Sequence, residues 1–356
     1  MKLHTLEVQL WGREKQIWTR DIDRSISDDT LRDFAAVCGT SIDKARETCL
    51  RSYEGTLFQT LIVNGNSNWI LPFGIRHRKR KRHGMQFCPL CLATDEYPYF
   101  RKSWRLAFST FCDLHDVMLH DRCPQCKSPV MFHRQELGDR WSWQVMSLSF
   151  CTSCGFDLKR SPTYQASAVE IHTWNAIKAQ RLLLESGWVI AGAQTFAYAH
   201  LYFDVLRNLI RNLLSTRKTS QLMVHSRREL GLDDEYEKRV RTSFEYLDVG
   251  QRHTVVQIAT WLLLDWPHKF LQMASEARLR HSELMAEFED PPYWFANEVR
   301  CLEINPLGPS PGEKDAMRAL WQMPRSRADR QFLKRQILKR IGNGPIKEFL
   351  GEETHQ

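Results

Sequence analysis

Four pairs of metal-ligand residues stand in the first half of this chain: Cys88-Pro-Leu-Cys91, Cys112-Asp-Leu-His115, Cys123-Pro-Gln-Cys126 and Cys151-Thr-Ser-Cys154. Two residues between ligands is the spacing at which a tight knuckle aims both side chains at one metal. Four pairs make two complete tetrahedral sets, one of three cysteines with a histidine and one of four cysteines. Two structural zinc ions per chain are therefore expected. Closed sites of this kind leave no ligand position for a substrate, which points to a binding or scaffolding protein rather than a hydrolase. A disulfide framework would need an oxidising compartment, and the segment Met1-Lys2-Leu3-His4-Thr5-Leu6-Glu7 carries no apolar signal core. Cys38, Cys49 and Cys301 have no partner by spacing and read as ordinary core thiols.

Sequential pairing suits the spacing. Cys88, Cys91, Cys112 and His115 would hold one metal, and Cys123, Cys126, Cys151 and Cys154 the other, each set enclosing about twenty to twenty-five residues. A cross-braced arrangement, first pair with third and second with fourth, is the competing geometry. Loss of a ligand should melt the zinc region, while the helical half that follows would keep its own core.

The chain has 356 residues, enough for two or three domains. Hydrophobic residues make up 42% and charged residues 26%, as in a soluble globular protein. No apolar run approaches a membrane span; the best is Ile258-Ala-Thr-Trp-Leu-Leu-Leu264. A cytoplasmic protein without a membrane partner is expected. The net charge of +8 permits a nucleic-acid partner without proving one.

The expected architecture is mainly α with small zinc-bound β elements. Residues 1–75 read as an N-terminal helical, helix-turn-helix-like module, 76–160 as a basic segment with a tandem zinc-binding region, and 161–356 as a C-terminal all-helical domain. In the first part, Leu31, Phe34, Ala35 and Cys38 recur at helical spacing. Gly39 stands at the C-terminal cap position, and Ser41 can cap a second helix carrying Ile42, Ala45, Cys49 and Leu50. The outline suits either a DNA-reading helix-turn-helix or a helical hairpin with a packing role.

Residues 76–83 read Arg-His-Arg-Lys-Arg-Lys-Arg-His. Charge this dense repels itself and seeks an anionic partner, so Arg76, Arg78, Lys79, Arg80, Lys81 and Arg82 are candidate phosphate contacts. Arg101 and Arg105, four apart beside Trp104, Ala107 and Phe108 at helical spacing, are further candidates. So are Lys334 and Arg335, on an amphipathic helix expected over 329–341. Val130-Met-Phe-His133 and Trp141-Ser-Trp-Gln-Val-Met146 alternate like a short hairpin. Beyond Pro162, Tyr202, Leu206, Leu209 and Leu213 form one helical stripe, and Val255, Ile258, Ala259 and Leu262 another. This half could host a homodimer contact as well as a monomer core.

The chain resembles the TniQ family through Trp18-Thr-Arg-Asp-Ile-Asp23, Phe87-Cys-Pro-Leu-Cys-Leu92, Pro98-Tyr-Phe-Arg101, Trp104-Arg-Leu-Ala-Phe108, Cys112-Asp-Leu-His115, Leu119-His-Asp-Arg-Cys-Pro-Gln-Cys126 and Cys151-Thr-Ser-Cys-Gly155. The likeness covers roughly the first 160 residues. Family members usually carry an earlier segment, a Pro-rich stretch followed by a helix, whereas here Met1 leads almost at once into Leu3-His4-Thr5, so either the start is truncated or that helix is supplied otherwise. The resemblance implies a target-selection factor of DNA transposons. Its structural zinc does no chemistry, and it links target DNA, or a CRISPR RNA-guided complex, to an AAA+ ATPase that recruits the transposase.

Three classes of function are open at this point. One is that non-enzymatic adaptor. A second is a zinc-containing transcription regulator that reads DNA with the N-terminal hairpin. A third is a metal-dependent nuclease, which would need a carboxylate cluster or an open metal position. The acidic groups Asp28-Asp29, Asp233-Asp234-Glu235 and Glu289-Asp290 lie on capping or loop stretches, and no P-loop is present.

Overall fold

A computed structural model describes residues 21–73, 83–131, 147–191, 195–215, 221–232, 243–286 and 288–302, with single positions between 319 and 333. The described residues are mostly helical, with one two-stranded hairpin. The basic run at 76–82, the expected hairpin residues 132–146, and Lys334 and Arg335 lie outside them.

The first elements among the described residues are α1 (Ile22–Ser25), α2 (Asp28–Cys38) and α3 (Ile42–Glu47). The caps fall where the residue types place them. Ser27 accepts a hydrogen bond from the Thr30 amide, and Ser41 from the Lys44 amide. Gly39 turns the chain at φ +63°, a conformation that costs glycine little. Leu31, Ala35, Ala45 and Cys49 form the small core of this hairpin. The second helix is short, and a 3₁₀ turn at Leu50–Tyr53 replaces its continuation. Cys49 is buried as expected, but Cys38 and Cys301 are exposed, each at or just beyond a helix end rather than on a core face.

The candidate metal-ligand region follows, with α4 (Pro89–Thr94) and 3₁₀ turns at Lys102–Arg105 and Leu158–Arg160. The helical spacing of Trp104, Ala107 and Phe108 therefore does not mark an α-helix. The turn ends at Arg105, and Leu106 continues in extended geometry, bridged antiparallel to Ile70. Extension is favoured because Leu71 N–H donates to the Arg105 carbonyl and Ala107 N–H to the Trp69 carbonyl.

Among the described residues up to 302 the further elements are α5 (Ile171–Ser186), β1 (Trp188–Ala191), β2 (Thr195–Tyr198), α6 (Ala199–Leu213), α7 (Leu222–Glu229), α8 (Val249–Leu263), α9 (His268–Glu276), α10 (His281–Met285) and α11 (Tyr293–Val299). Both expected stripes are core. Leu206, Leu209 and Leu213 of α6 and Val255, Ile258, Ala259 and Leu262 of α8 are buried, and Tyr202 packs against them. No helix among the described residues is long and apolar enough to cross a membrane.

The largest apolar cluster is not confined to these helices. It joins Leu50, Leu57, Trp69 and Leu71, then Leu106, Phe108 and Phe111 from between the metal ligands, to α6, α8 and α9. Trp69 sits at its centre, edge-on to Phe108, Phe203 and Phe244. A second cluster surrounds the cysteines, with Phe73, Met85, Phe87, Leu92, Trp104 and Leu119.

Gly84 marks where the two stretches flanking residues 74–82 meet. A β-carbon placed there would stand 2.4 Å from Phe73 Cα and 2.4 Å from the Pro72 carbonyl oxygen. Only a residue without a side chain allows backbones this close. Gly84→Ala is expected to destabilise the protein by about 1–3 kcal/mol, the usual cost of forced overpacking. Chemical denaturation would measure it, and an unchanged midpoint would mean that this close approach yields freely.

Candidate metal centres

The fold gathers the eight ligands into two sets, each with its donor atoms within 4.8 Å of one another. One contains Cys88, Cys91, Cys112 and His115; the other contains Cys123, Cys126, Cys151 and Cys154. The grouping is the sequential one, and the cross-braced alternative is not formed.

The spacings inside each set fit a tetrahedral ion. With Zn–S near 2.3 Å and Zn–N near 2.0–2.1 Å, a tetrahedron puts two sulfurs about 3.8 Å apart and a sulfur and a nitrogen about 3.6 Å apart. Cys123 and Cys154 sulfurs are 3.7 Å apart, as are those of Cys126 and Cys151. His115 Nδ1 lies 3.6, 3.4 and 3.5 Å from the sulfurs of Cys88, Cys91 and Cys112. Each set can therefore hold one metal ion.

Three of the four knuckles share one backbone design. In each, the residue four after the first ligand takes a left-handed conformation: Asp116 at φ +49°, Lys127 at +58° and Gly155 at +71°. Its N–H donates to the first ligand's carbonyl, at 2.8 Å to Cys112, 3.0 Å to Cys123 and 2.9 Å to Cys151. The first ligand's N–H returns a bond to the next carbonyl, at Val117, Ser128 and Phe156. The turn closes a small ring that points both ligand side chains inward. Glycine announces this geometry at position 155 and aspartate hints at it at 116; at 127 the only signal is the fixed offset from the cysteine. The first knuckle differs. Cys88 caps α4 with its sulfur, accepting from the Cys91 amide at 3.4 Å, and Pro89 occupies the first helical position.

The thiols are poised unequally. Hydrogen bonding to Cys88 pulls Cys112 down to about 4, while the bond to Cys112 and burial drive Cys88 well above the ordinary thiol range. Burial lifts Cys151 to about 12. A cation entering either set would displace the protons that its thiols hold.

Side chains from the helical half clamp the knuckles. Arg181 of α5 pairs with Asp113 and donates to the Phe111 carbonyl at 2.7 Å and to Ser109 Oγ at 2.8 Å. Lys178 Nζ lies 2.7 Å from Asp116 Oδ2. From α8, Arg252 reaches the Ala107 carbonyl at 2.6 Å, the Leu247 carbonyl at 3.1 Å and Gln86 Oε1 at 3.0 Å. Gln86 Nε2 then donates to the carbonyls of Trp104 at 3.0 Å and Ser109 at 2.9 Å. Arg252 is fully buried and meets no carboxylate among the described residues, and burial lowers its pKa to about 10. Sequence reasoning missed Arg252 and Gln86, because neither carries a local motif.

Among the candidate phosphate contacts, the two described ones are engaged elsewhere. Arg105 is 1% exposed. It pairs with Asp21 and, at 2.6 Å, with Asp23, and donates to the Leu71 carbonyl at 3.2 Å. Burial opposes its charge, but Asp21 and Asp23 more than offset this and hold its pKa above the ordinary value. It cannot reach a phosphate from there. The surface position expected for it assumed an α-helix that the chain does not form. Arg101 is held bidentately by Asp95 at 3.0 and 2.9 Å and lies over the rings of Tyr99 and Trp104. Both arginines serve the fold: Arg105 ties α1 to the metal region, and Arg101 braces the end of α4.

Comparison with curated proteins finds no match to the chain. Residues 3–119 match the family model described as TniQ. That stretch encloses the whole first ligand set and stops before the second. It also contains both ends of the buried pair between Asp21, Asp23 and Arg105. The chain therefore carries a TniQ domain, spanning residues 3–119.

Proposed function

We propose that this protein is a non-enzymatic, zinc-stiffened adaptor for target selection in DNA transposition. It would bridge target DNA, or an RNA-guided CRISPR complex, to an AAA+ ATPase and its transposase. The observation that carries this reading is the TniQ match over residues 3–119, which includes a complete closed ligand set. A closed set has no position for a substrate, so zinc here supplies rigidity. Fixed geometry lowers the ordering cost of docking. The clamps from Arg181, Lys178 and Arg252 carry that rigidity into the helical half, where a second partner can dock without disturbing the first.

Double-stranded DNA is the proposed nucleic-acid partner. The residues proposed to touch phosphate are Arg76, Arg78, Lys79, Arg80, Lys81 and Arg82, with Lys334 and Arg335 as a second basic group. Replacing Arg78, Lys79 and Arg80 by alanine is expected to weaken binding to all sequences alike. The log–log salt slope should fall by about 0.9 for each phosphate no longer neutralised. A triple variant with unchanged affinity and slope would remove the run from the interface. The bridging role is tested by co-purification with the cognate ATPase or guide-RNA complex, together with a transposition assay. Deletion should abolish or misdirect insertion. Insertion targeting unchanged without the protein, or DNA cleavage or ATP turnover by the protein alone, would overturn the reading.

A further inference from the structure

The two ligand sets differ in what can reach them. In the first, Cys88, Cys91 and Cys112 are buried and His115 is half-buried. In the second, Cys123 and Cys151 are buried and Cys126 is half-buried, but Cys154 is exposed, alone among the eight ligands. The space beside it is open: a β-carbon built on Gly155 would meet nothing within 4 Å. The sets differ in charge as well. Around a divalent ion, three thiolates and an imidazole leave one negative charge, whereas four thiolates leave two, so the sulfurs of the second set keep more electron density. Anchorage differs too. Phe111, Asp113 and Asp116 tie the first set to the main apolar cluster and to α5. No described residue from 119 to 165 enters that cluster. The second set rests on the smaller cluster through Val130 and Leu158, and beside it the Val249 amide donates to Asp121 Oδ2 at 3.3 Å.

We infer that Cys154 is a site of reversible oxidation, at which a hydroperoxide opens the second ligand set and leaves the first closed. Oxidation selects cysteines by thiolate character and by access. Every cysteine ligand of a bound metal is a thiolate, so access decides among them. The Cys154 sulfur attacks one oxygen of the peroxide; an S–O bond forms, the O–O bond breaks and hydroxide leaves. The Cys123 sulfur, 3.7 Å away, then attacks the Cys154 sulfur. An S–S bond forms, the S–O bond breaks and a second hydroxide leaves. The two sulfurs together give up two electrons, and the peroxide takes them. Closing that gap to the roughly 2.0 Å of a disulfide removes two ligands at once. Cys126 and Cys151 remain, too few to hold a closed tetrahedral ion. A thiol reductant returns both thiolates by exchange. The first set keeps its ion, because its sulfurs are buried and its knuckle is fastened to α5. The inference goes beyond the adaptor reading and rests only on the sequential ligand grouping.

Hydrogen peroxide acting on the zinc-loaded full chain tests this. Cys38→Ser with Cys301→Ser first removes the two exposed thiols outside the sets. Native mass spectrometry counts zinc before treatment, and a colorimetric chelator follows its release. One ion should leave at least about tenfold faster than the other, with helical circular dichroism unchanged. Peptide mapping should find a disulfide between Cys123 and Cys154, and dithiothreitol with added zinc should restore the ion. Cys154→His keeps a zinc ligand at that position and should slow the fast release by about tenfold or more. Should that variant fail to hold two ions, brief alkylation of the loaded chain decides instead, and Cys154 should be the first cysteine ligand labelled. Two ions released together overturn the inference. So does earlier loss of the ion from the first set, a helical signal that falls with the fast release, a sulfinic acid at Cys154 in place of the disulfide, or another ligand labelled first. Fewer than two zinc ions before any peroxide is added would overturn the closed-set reading, and this inference with it.

Discussion

Cys112→Ser is expected to release one metal ion and to unfold more than the metal region. Structural zinc contributes on the order of 10 kcal/mol in small zinc modules, comparable to the whole stability of a domain. Phe111, next to Cys112, belongs to the main apolar cluster and stacks on Trp174 of α5 at 4.5 Å. Asp113 and Asp116 of the same knuckle hold Arg181 and Lys178. The shared core argues against a helical half that persists alone. Far-UV circular dichroism and native mass spectrometry would follow helix content and zinc count together. The expected result is one zinc retained at Cys123, Cys126, Cys151 and Cys154, with a large loss of cooperative helical unfolding. Acid should act in the same direction, because protons compete with the metal for thiolates. Loss of the second ion on Cys112→Ser, with the first retained, would sink the sequential grouping. A full helical transition in the variant would sink the coupling.

Arg252→Met is expected to be nearly as damaging, although it lies far from any metal ligand in sequence. Its guanidinium satisfies the carbonyls of Ala107 and Leu247 and the side-chain oxygen of Gln86 in a site without solvent. Methionine fills much of the volume but leaves two buried acceptors and the part-buried Leu247 carbonyl unpaired. At about 1–2 kcal/mol for each orphaned acceptor, the loss should be about 3–6 kcal/mol. Urea unfolding would measure it. The double variant Arg252→Met with Gln86→Leu tests the mechanism, since the bond between the two is lost once and the double variant orphans fewer groups than the two single variants added together. A double variant less stable than the sum of the two singles would contradict this pairing.

Much of the metal site was legible before any fold was known. Ligand identity and grouping follow from the two-residue spacing and from the loop lengths a tetrahedral ion can close. The left-handed turn at Gly155 was legible because glycine favours it; that at Asp116 carried only a weak signal, since aspartate visits this conformation occasionally, and that at Lys127 carried none. The caps Ser27, Gly39 and Ser41 and the stripes of α6 and α8 are local patterns, and local patterns survive in a linear reading.

What tertiary structure decided is the assignment of charge. Arg105 and Arg101 look like surface cations in the sequence, since lysine and arginine are mostly exposed and both stand beside aromatics. Their roles depend on carboxylates that arrive from elsewhere: Asp21 and Asp23, more than eighty residues away from Arg105, and Asp95 across a turn from Arg101. Arg252 reverses its expected exposure for the same reason, held by Gln86 at a separation of 166 residues. Periodicity reports which face of a helix is apolar, but it carries no information about which buried carbonyl waits opposite a guanidinium. Spacing picked out the two candidate ligand sets and periodicity the stripes of α6 and α8, while the 3₁₀ turn at Lys102–Arg105 went against its helical spacing; only the packing decided which cations face water and which bolt the candidate metal region to the helices, because long-range pairing has no local signature.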